Sequence, residues 1–195
     1  GKIFTGIKTE QNKALLIKNG KVEGLVGNKE IPADYMVEDL HGNMLGPAFI
    51  DMQIYGGNGK MFSQDTTIES LKATYEYCLS GGCAYFMITM ATNAIDKFLE
   101  GIEVVRQYWQ EGGKGLLGLH LEGPYLNPVK KGAHAERFIK KPEVAEVELL
   151  LEKGKDVVKM MTVAPECCDP SVIALLQQNG VLVSAGHSNA TYAEA

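Results

Sequence analysis

Five apolar runs follow one another from Gly46 onward, at residues 48–55, 84–90, 116–121, 157–163 and 181–185, and helical spacing of apolar residues follows the first four. This alternation is the mark of repeated βα units. Two parallel strands can be joined only by a long crossover, and a helix supplies it. The helix ends are punctuated. Asp65-Thr66-Thr67 offers capping side chains ahead of Ile68, Leu71, Tyr75 and Cys78, and Gly81-Gly82 stops that segment. Phe98, Ile102 and Val105 recur at helical spacing within 94–109, and Gly112-Gly113 closes the second unit. Pro142 suits the first turn of a helix over 142–152, Asp169-Pro170-Ser171 opens another, and Asn179-Gly180 ends it. After the fifth run, Ser188-Asn189-Ala190-Thr191 opens a helix that the sequence does not complete. Both a doubly wound sheet and a (β/α)8 barrel repeat such units, and periodicity does not separate them.

Residues 1–46 have a different texture. Runs at 13–18 and 21–26 flank Asn19-Gly20, the pair that favours a type I′ hairpin turn, so this part reads as a small β region. With 45% hydrophobic and 22% charged residues, the 195-residue chain has the profile of a folded globular protein. Its 19 Lys and Arg against 24 Asp and Glu give a net charge of −5 without a basic run, which argues against nucleic acid or an anionic membrane as the main partner. No apolar stretch approaches the ~18 residues of a membrane span, and the first residues lack the pattern of a signal peptide. The expected location is the cytoplasm. Cys78, Cys83, Cys167 and Cys168 form no C-x-x-C pair and read as buried, reduced thiols.

In either architecture chemistry sits at the carboxyl ends of the strands. Three ends are rich in polar residues: Asp51-Met52-Gln53-Ile54-Tyr55, His120-Leu121-Glu122 and Ala185-Gly186-His187. Strand alternation puts Asp51, Gln53 and Tyr55 on one face, and His120 with Glu122 on another. A carboxylate and an imidazole from separate strands are two thirds of a common catalytic metal set, so Glu122 and His187 read either as a metal pair or as hydrogen-bonded structure. Bound metal lowers the pKa of water toward ~7 and polarises a carbonyl, the chemistry of amide hydrolysis. His120 reads as a core histidine or one behind the metal ligands, and His41, beside Gly42, as a surface or turn residue. The stretch 123–140 is long for a connection and is a candidate binding loop. Its Lys130-Lys131-Gly132-Ala133-His134 fits an anionic group such as phosphate, or else is a solvated charge pair.

Taken together, several segments carry a resemblance in one colinear order. They are Gly46-Pro47-Ala48-Phe49-Ile50-Asp51, His120-Leu121-Glu122-Gly123-Pro124-Tyr125-Leu126-Asn127, Lys130-Lys131-Gly132-Ala133-His134, Val163-Ala164-Pro165-Glu166 and Ser184-Ala185-Gly186-His187-Ser188-Asn189-Ala190-Thr191. This set resembles the signature of N-acetylglucosamine-6-phosphate deacetylases, of the amidohydrolase superfamily. The resemblance implies an α/β fold, a TIM-like (β/α)8 barrel of the amidohydrolase type with a small β-sandwich built from both chain ends. Residues 1–46 would then be part of the sandwich, and 47–195 the first five βα units, incomplete at the C-terminus. A barrel takes about 250 residues, so five units is what 47–195 can hold.

The implied activity is hydrolysis of N-acetylglucosamine 6-phosphate to glucosamine 6-phosphate and acetate. By resemblance Glu122 and His187 become metal ligands, and Ala133 and His134 fall on the segment that contacts the amino sugar. One divalent ion is implied, zinc first, with iron or another divalent metal as alternatives. Gln53-Ile54-Tyr55 stands where many superfamily members carry His-x-His for a second metal, so a mononuclear site is expected. Ala48 stands where the entry motif usually has Gly. A third histidine ligand and the catalytic aspartate of the eighth strand would fall beyond Ala195, so the chain alone is expected to be inactive. A homodimer is implied, with the phosphorylated amino sugar as the small-molecule partner. The rival readings are an amidohydrolase acting on another N-acetylated sugar or a cyclic amide, and a non-catalytic fragment.

Overall fold

The computed structural model describes residues Gly1–Glu194, which divide into two compact units at Ala48 and Phe49. The first unit is all β. Strands β1 (Lys2–Phe4), β2 (Thr9–Gln11) and β5 (Met44–Leu45) form a three-stranded sheet in the order β2-β1-β5, and β3 (Lys13–Lys18) pairs with β4 (Lys21–Gly27) as a hairpin. Asn19 and Gly20 close that hairpin at φ 52° and 71°, the two left-handed residues a type I′ turn requires. His41 is an exposed turn residue at φ 49°.

The second unit alternates strand and helix. Its elements are β6 (Phe49–Ile54), the short pair β7 (Gly56–Gly57) and β8 (Lys60–Met61), α1 (Ile68–Ser80), β9 (Cys83–Ala91), α2 (Ile95–Gln110), β10 (Leu116–Glu122), α3 (Val144–Gly154), β11 (Val158–Val163), α4 (Pro170–Gln178) and β12 (Leu182–Ala185). The five long strands form one parallel sheet in the order β12-β11-β10-β9-β6. Each strand lies beside its predecessor and the order never reverses. That single direction of winding excludes the doubly wound alternative, which needs a reversal point. Crossovers of one hand stepping in one direction put every helix on the same face, so the sheet curls as half a barrel.

Hydrophobic burial fixes which face that is. Phe86, Ile88 and Met90 of β9, Leu119 and Leu121 of β10, and Met161 and Val163 of β11 pack with Leu71, Phe98, Ile102, Val105, Val147, Leu150, Val172 and Leu176 of the helices. Each such side chain contributes roughly 1.5–3 kcal/mol when fully buried. The alternate residues Thr89, His120, Glu122 and Thr162 are left on the opposite, concave face, where the chemistry sits. Helix ends follow the sequence closely. The Thr67 side chain accepts from Ser70 N at the start of α1, and the Asp169 side chain accepts from Ser171 N at the start of α4.

Several expectations are corrected. Helix α3 begins at Val144 with Glu143 as its cap, so Pro142 lies before the helix rather than in its first turn. The 123–140 connection contains two 3-10 turns, Pro128–Lys130 and Glu136–Phe138. Among the described residues no helix follows β12; the Ser188 hydroxyl accepts Ala190 N in a local turn instead. All four cysteines are free, but only Cys78 is buried, the others being half-buried. Asp51 does not share a face with Gln53 and Tyr55. The register of β6 against β9 shifts between Asp51 and Ile54, and this bulge breaks the two-residue period. Asp51 therefore lines a pocket with Tyr77, Cys78 and Cys83 on the helix side. No helix of the described residues is long and apolar enough to cross a membrane.

Candidate metal centre

Glu122 closes β10 and is almost fully buried, 3% exposed. A carboxylate there must find partners from neighbouring strands. From β6 and the residue after it, Gln53 Nε2 donates to Oε1 at 3.0 Å and Tyr55 Oη donates to Oε2 at 2.5 Å. The same Gln53 amide lies 2.8 Å from Tyr55 Oη, so the two side chains hold each other as well as the carboxylate. Burial pushes the Tyr55 phenol up to about 12, as does its bond to Glu122, so it remains a donor. Burial raises the Glu122 pKa, but with the neighbouring rings protonated the hydrogen bonds from His134 and Tyr55 and the charges of His134 and His187 outweigh it and lower the carboxyl to about 2.

Two histidines complete the group. His187, two residues past β12, places Nε2 at 3.1 Å from Glu122 Oε1, and His134, from the loop after β10, places Nε2 at 3.4 Å from Oε2. The two rings meet edge to face at 4.4 Å. The ligating atoms of Glu122, His134 and His187 all lie within 4.8 Å of one another.

The hydrogen bonds behind the rings fix their tautomers. His187 Nδ1 lies 2.9 Å from the Lys130 carbonyl, which can only accept, so Nδ1 carries a proton and the neutral ring presents a lone pair at Nε2. Behind His134 stands Thr92. Its hydroxyl gives its one proton to the Glu122 carbonyl at 2.9 Å and so accepts from His134 Nδ1, also at 2.9 Å. The Thr92 N–H approaches the same nitrogen at 3.3 Å, which would need the other tautomer; the two shorter bonds decide against it.

In the neutral rings both Nε2 atoms therefore aim lone pairs at a carboxylate. Facing acceptors at 3.1 Å repel unless a proton or a cation lies between them, and that spacing suits two ligands of one ion with bonds of ~2.0–2.2 Å. Carboxylate and imidazole are the donors that zinc and its neighbours prefer. The residues fit a divalent metal on their own chemistry.

The other sequence candidates fall as follows. His120 is fully buried, with Nε2 2.7 Å from Thr162 Oγ1 and Nδ1 3.3 Å from Thr89 Oγ1. Burial pushes its pKa down, and it stands behind Glu122 on the same face without entering the donor group. Ala133 is exposed beside His134. Lys131 Nζ pairs with Glu136 at 3.0 Å, while Lys130 contributes its carbonyl rather than its charge to the centre. Sequence reasoning missed Thr92, Asn127 and Ser188 as supports and gave Glu166 no role. The signal available was position: each stands just past a strand's carboxyl end, where such parallel sheets keep their polar groups.

No protein-family model matches the chain. It is 34% identical over 190 residues to an N-acetylglucosamine-6-phosphate deacetylase of Haemophilus influenzae, covering 97% of this chain and 50% of that protein. It superposes on the crystal structure of an N-acetylglucosamine-6-phosphate deacetylase from Pasteurella multocida with a TM-score of 0.92 and 32% identity, over 98% of this chain and 50% of that one. A variant of the Mycobacterium smegmatis N-acetyl-D-glucosamine-6-phosphate deacetylase, solved in complex with N-acetyl-D-glucosamine-6-phosphate, superposes with a TM-score of 0.83 at 25% identity, over 99% of this chain and 50% of that one. The chain spans about half the length of the curated relatives it matches.

Proposed function

Since the chain belongs to the N-acetylglucosamine-6-phosphate deacetylase family, we propose that it supplies the metal-binding carboxylate and histidine of an enzyme hydrolysing N-acetylglucosamine 6-phosphate to glucosamine 6-phosphate and acetate. The observation that carries this reading is the 3.1 Å approach of His187 Nε2 to Glu122 Oε1, inside a group of three ligating side chains at the carboxyl ends of parallel strands. We take the half-barrel as the first five units of a (β/α)8 barrel over 47–195, and residues 1–46 as part of a small β-sandwich.

Glu122 and His187 would hold one divalent ion, zinc first, with Gln53 and Tyr55 occupying the side of Glu122 where a second ion would otherwise sit. When bound, the ion supplies Lewis acidity to the acetamide carbonyl and lowers the pKa of water at the site. The protein's part is orientation. Tyr55 and Gln53 fix the carboxylate plane, Lys130 O fixes the His187 ring, and Thr92 fixes the His134 ring. His134, with Ala133 beside it, would meet the amino sugar, its ring facing the same point as the metal pair. Proton transfer to the leaving amine belongs, by family resemblance, to an aspartate outside these residues. The enzyme would work in the cytoplasm as a homodimer.

The test is acetate release from N-acetylglucosamine 6-phosphate by the purified protein at full length, with and without a chelator. Metal-dependent release that prefers the phosphorylated over the unphosphorylated sugar supports the reading. Release unaffected by metal removal, or none from the metal-loaded protein, contradicts it.

A further inference from the structure

The loops after β10 and β12 carry the histidines of the candidate centre, and one side chain from the loop after β11 joins them. Glu166, half-buried in the 3-10 turn Pro165–Cys167 after β11, accepts Asn127 Nδ2 at 2.9 Å and Asn189 N at 2.6 Å on Oε1, and Ser188 Oγ at 2.7 Å on Oε2. Ser188 and Asn189 are the two residues that follow His187. Asn127, the third partner, donates its own N–H to the His187 carbonyl at 3.0 Å.

His187 needs such restraint. It stands at φ 50°, a left-handed backbone conformation that is uncommon for a residue with a β-carbon. The carbonyl that its ring points to is placed by the same network. Asn127 Oδ1 accepts Val129 N at 2.9 Å, and its backbone oxygen accepts Lys130 N at 2.9 Å, which sets the turn presenting Lys130 O. Glu166 thus reaches both ends of the hydrogen bond that orients the imidazole: the backbone bearing His187 and the turn bearing its acceptor.

We propose that Glu166 is a positioning residue for His187, holding its backbone and the Lys130 turn so that Nδ1 points to the Lys130 carbonyl and Nε2 faces Glu122. The consequence for metal affinity rests on the metal-centre reading above, whereas the imidazole's orientation can be measured without any metal. A groove-closing or purely stabilising carboxylate would anchor the loops but leave the tautomer of one ring untouched.

The experiment uses the full-length protein labelled with 15N-histidine, as wild type, Glu166→Gln and Ser188→Ala, metal-free and then titrated with cobalt(II). Long-range 1H–15N spectra report the tautomer of each ring. We expect His187 in the wild type to keep Nδ1 protonated in one ring orientation and to give an averaged mixture in Glu166→Gln, with His120 unchanged as an internal control. Cobalt affinity should fall by about 10–100-fold, the usual effect of losing a group that orients a ligand. Ser188→Ala should move both in the same direction by less, and it decides the question if Glu166→Gln does not fold. An unchanged His187 ring in the folded variants overturns the proposal, including where affinity falls by another route. If the ring responds but the wild type takes up no cobalt, positioning stands and the metal reading fails.

Discussion

Tyr55 donates its phenol proton to Glu122 Oε2 at 2.5 Å, tying the end of the first long strand to the end of the third. A hydrogen bond to a buried charge contributes about 1.5–3 kcal/mol. Tyr55→Phe removes the donor while keeping the ring. We predict a loss of stability of that order in urea unfolding, and zinc affinity lower by about 10-fold in calorimetric titration because the carboxylate loses one of its two restraints. Unchanged zinc affinity would mean that Tyr55 has no part in orienting Glu122.

Glu166 gives the chain an acid-sensitive tie. Burial raises its pKa, but the Ser188, Asn189 and Asn127 donors outweigh this and hold it at about 2. A depressed carboxyl contributes its full stability above the unfolded value near 4.5, and that stability is lost as pH falls toward 2. Wild-type stability in urea should therefore drop between pH 6 and pH 3 by more than that of Glu166→Gln, in which this group cannot titrate. Glu122 titrates in both proteins, so the difference between the two curves isolates Glu166. Parallel curves would show that the carboxylate gains nothing from its three donors.

The turn between α2 and β10 separates two reasons for a glycine. Gly112 stands at φ 78° with nothing within 4 Å of an added β-carbon. Gly115 stands at φ 77°, but its β-carbon would come within 2.4 Å of the Tyr75 ring and 2.8 Å of the Ala84 carbonyl oxygen. Gly112→Ala should cost about 1–2 kcal/mol from backbone strain alone. Gly115→Ala should cost that plus roughly 1–3 kcal/mol of overpacking. Equal melting temperatures for the two variants would contradict this division.

Much of this architecture was legible because it rests on local chemistry. Asn19-Gly20, Thr67, Asp169 and Asn179-Gly180 each act on their own neighbours, and the apolar period of β9 and α2 reads directly as a buried face. What was not legible depends on contacts through space. The bulge in β6 moved Asp51 off the face it would share with Gln53 by simple alternation, and no residue within 49–54 announces it. Glu166 is 39 residues from Asn127 and 22 from Ser188, so only the folded loops reveal it as their common acceptor. The same holds for Thr92, whose hydroxyl links Glu122 to His134 across 30 and 42 residues. Single winding of the sheet also needed the strand order, which periodicity does not encode.

The central claim is that Glu122 and His187 bind one divalent ion together. Zinc titration of the metal-free chain by calorimetry, with Glu122→Gln, His187→Ala and His134→Ala beside the wild type, addresses it directly. The account predicts one ion per wild-type chain, loss of at least about 100-fold in affinity for Glu122→Gln and His187→Ala, and a smaller loss for His134→Ala. Wild-type affinity retained by Glu122→Gln or His187→Ala would contradict it.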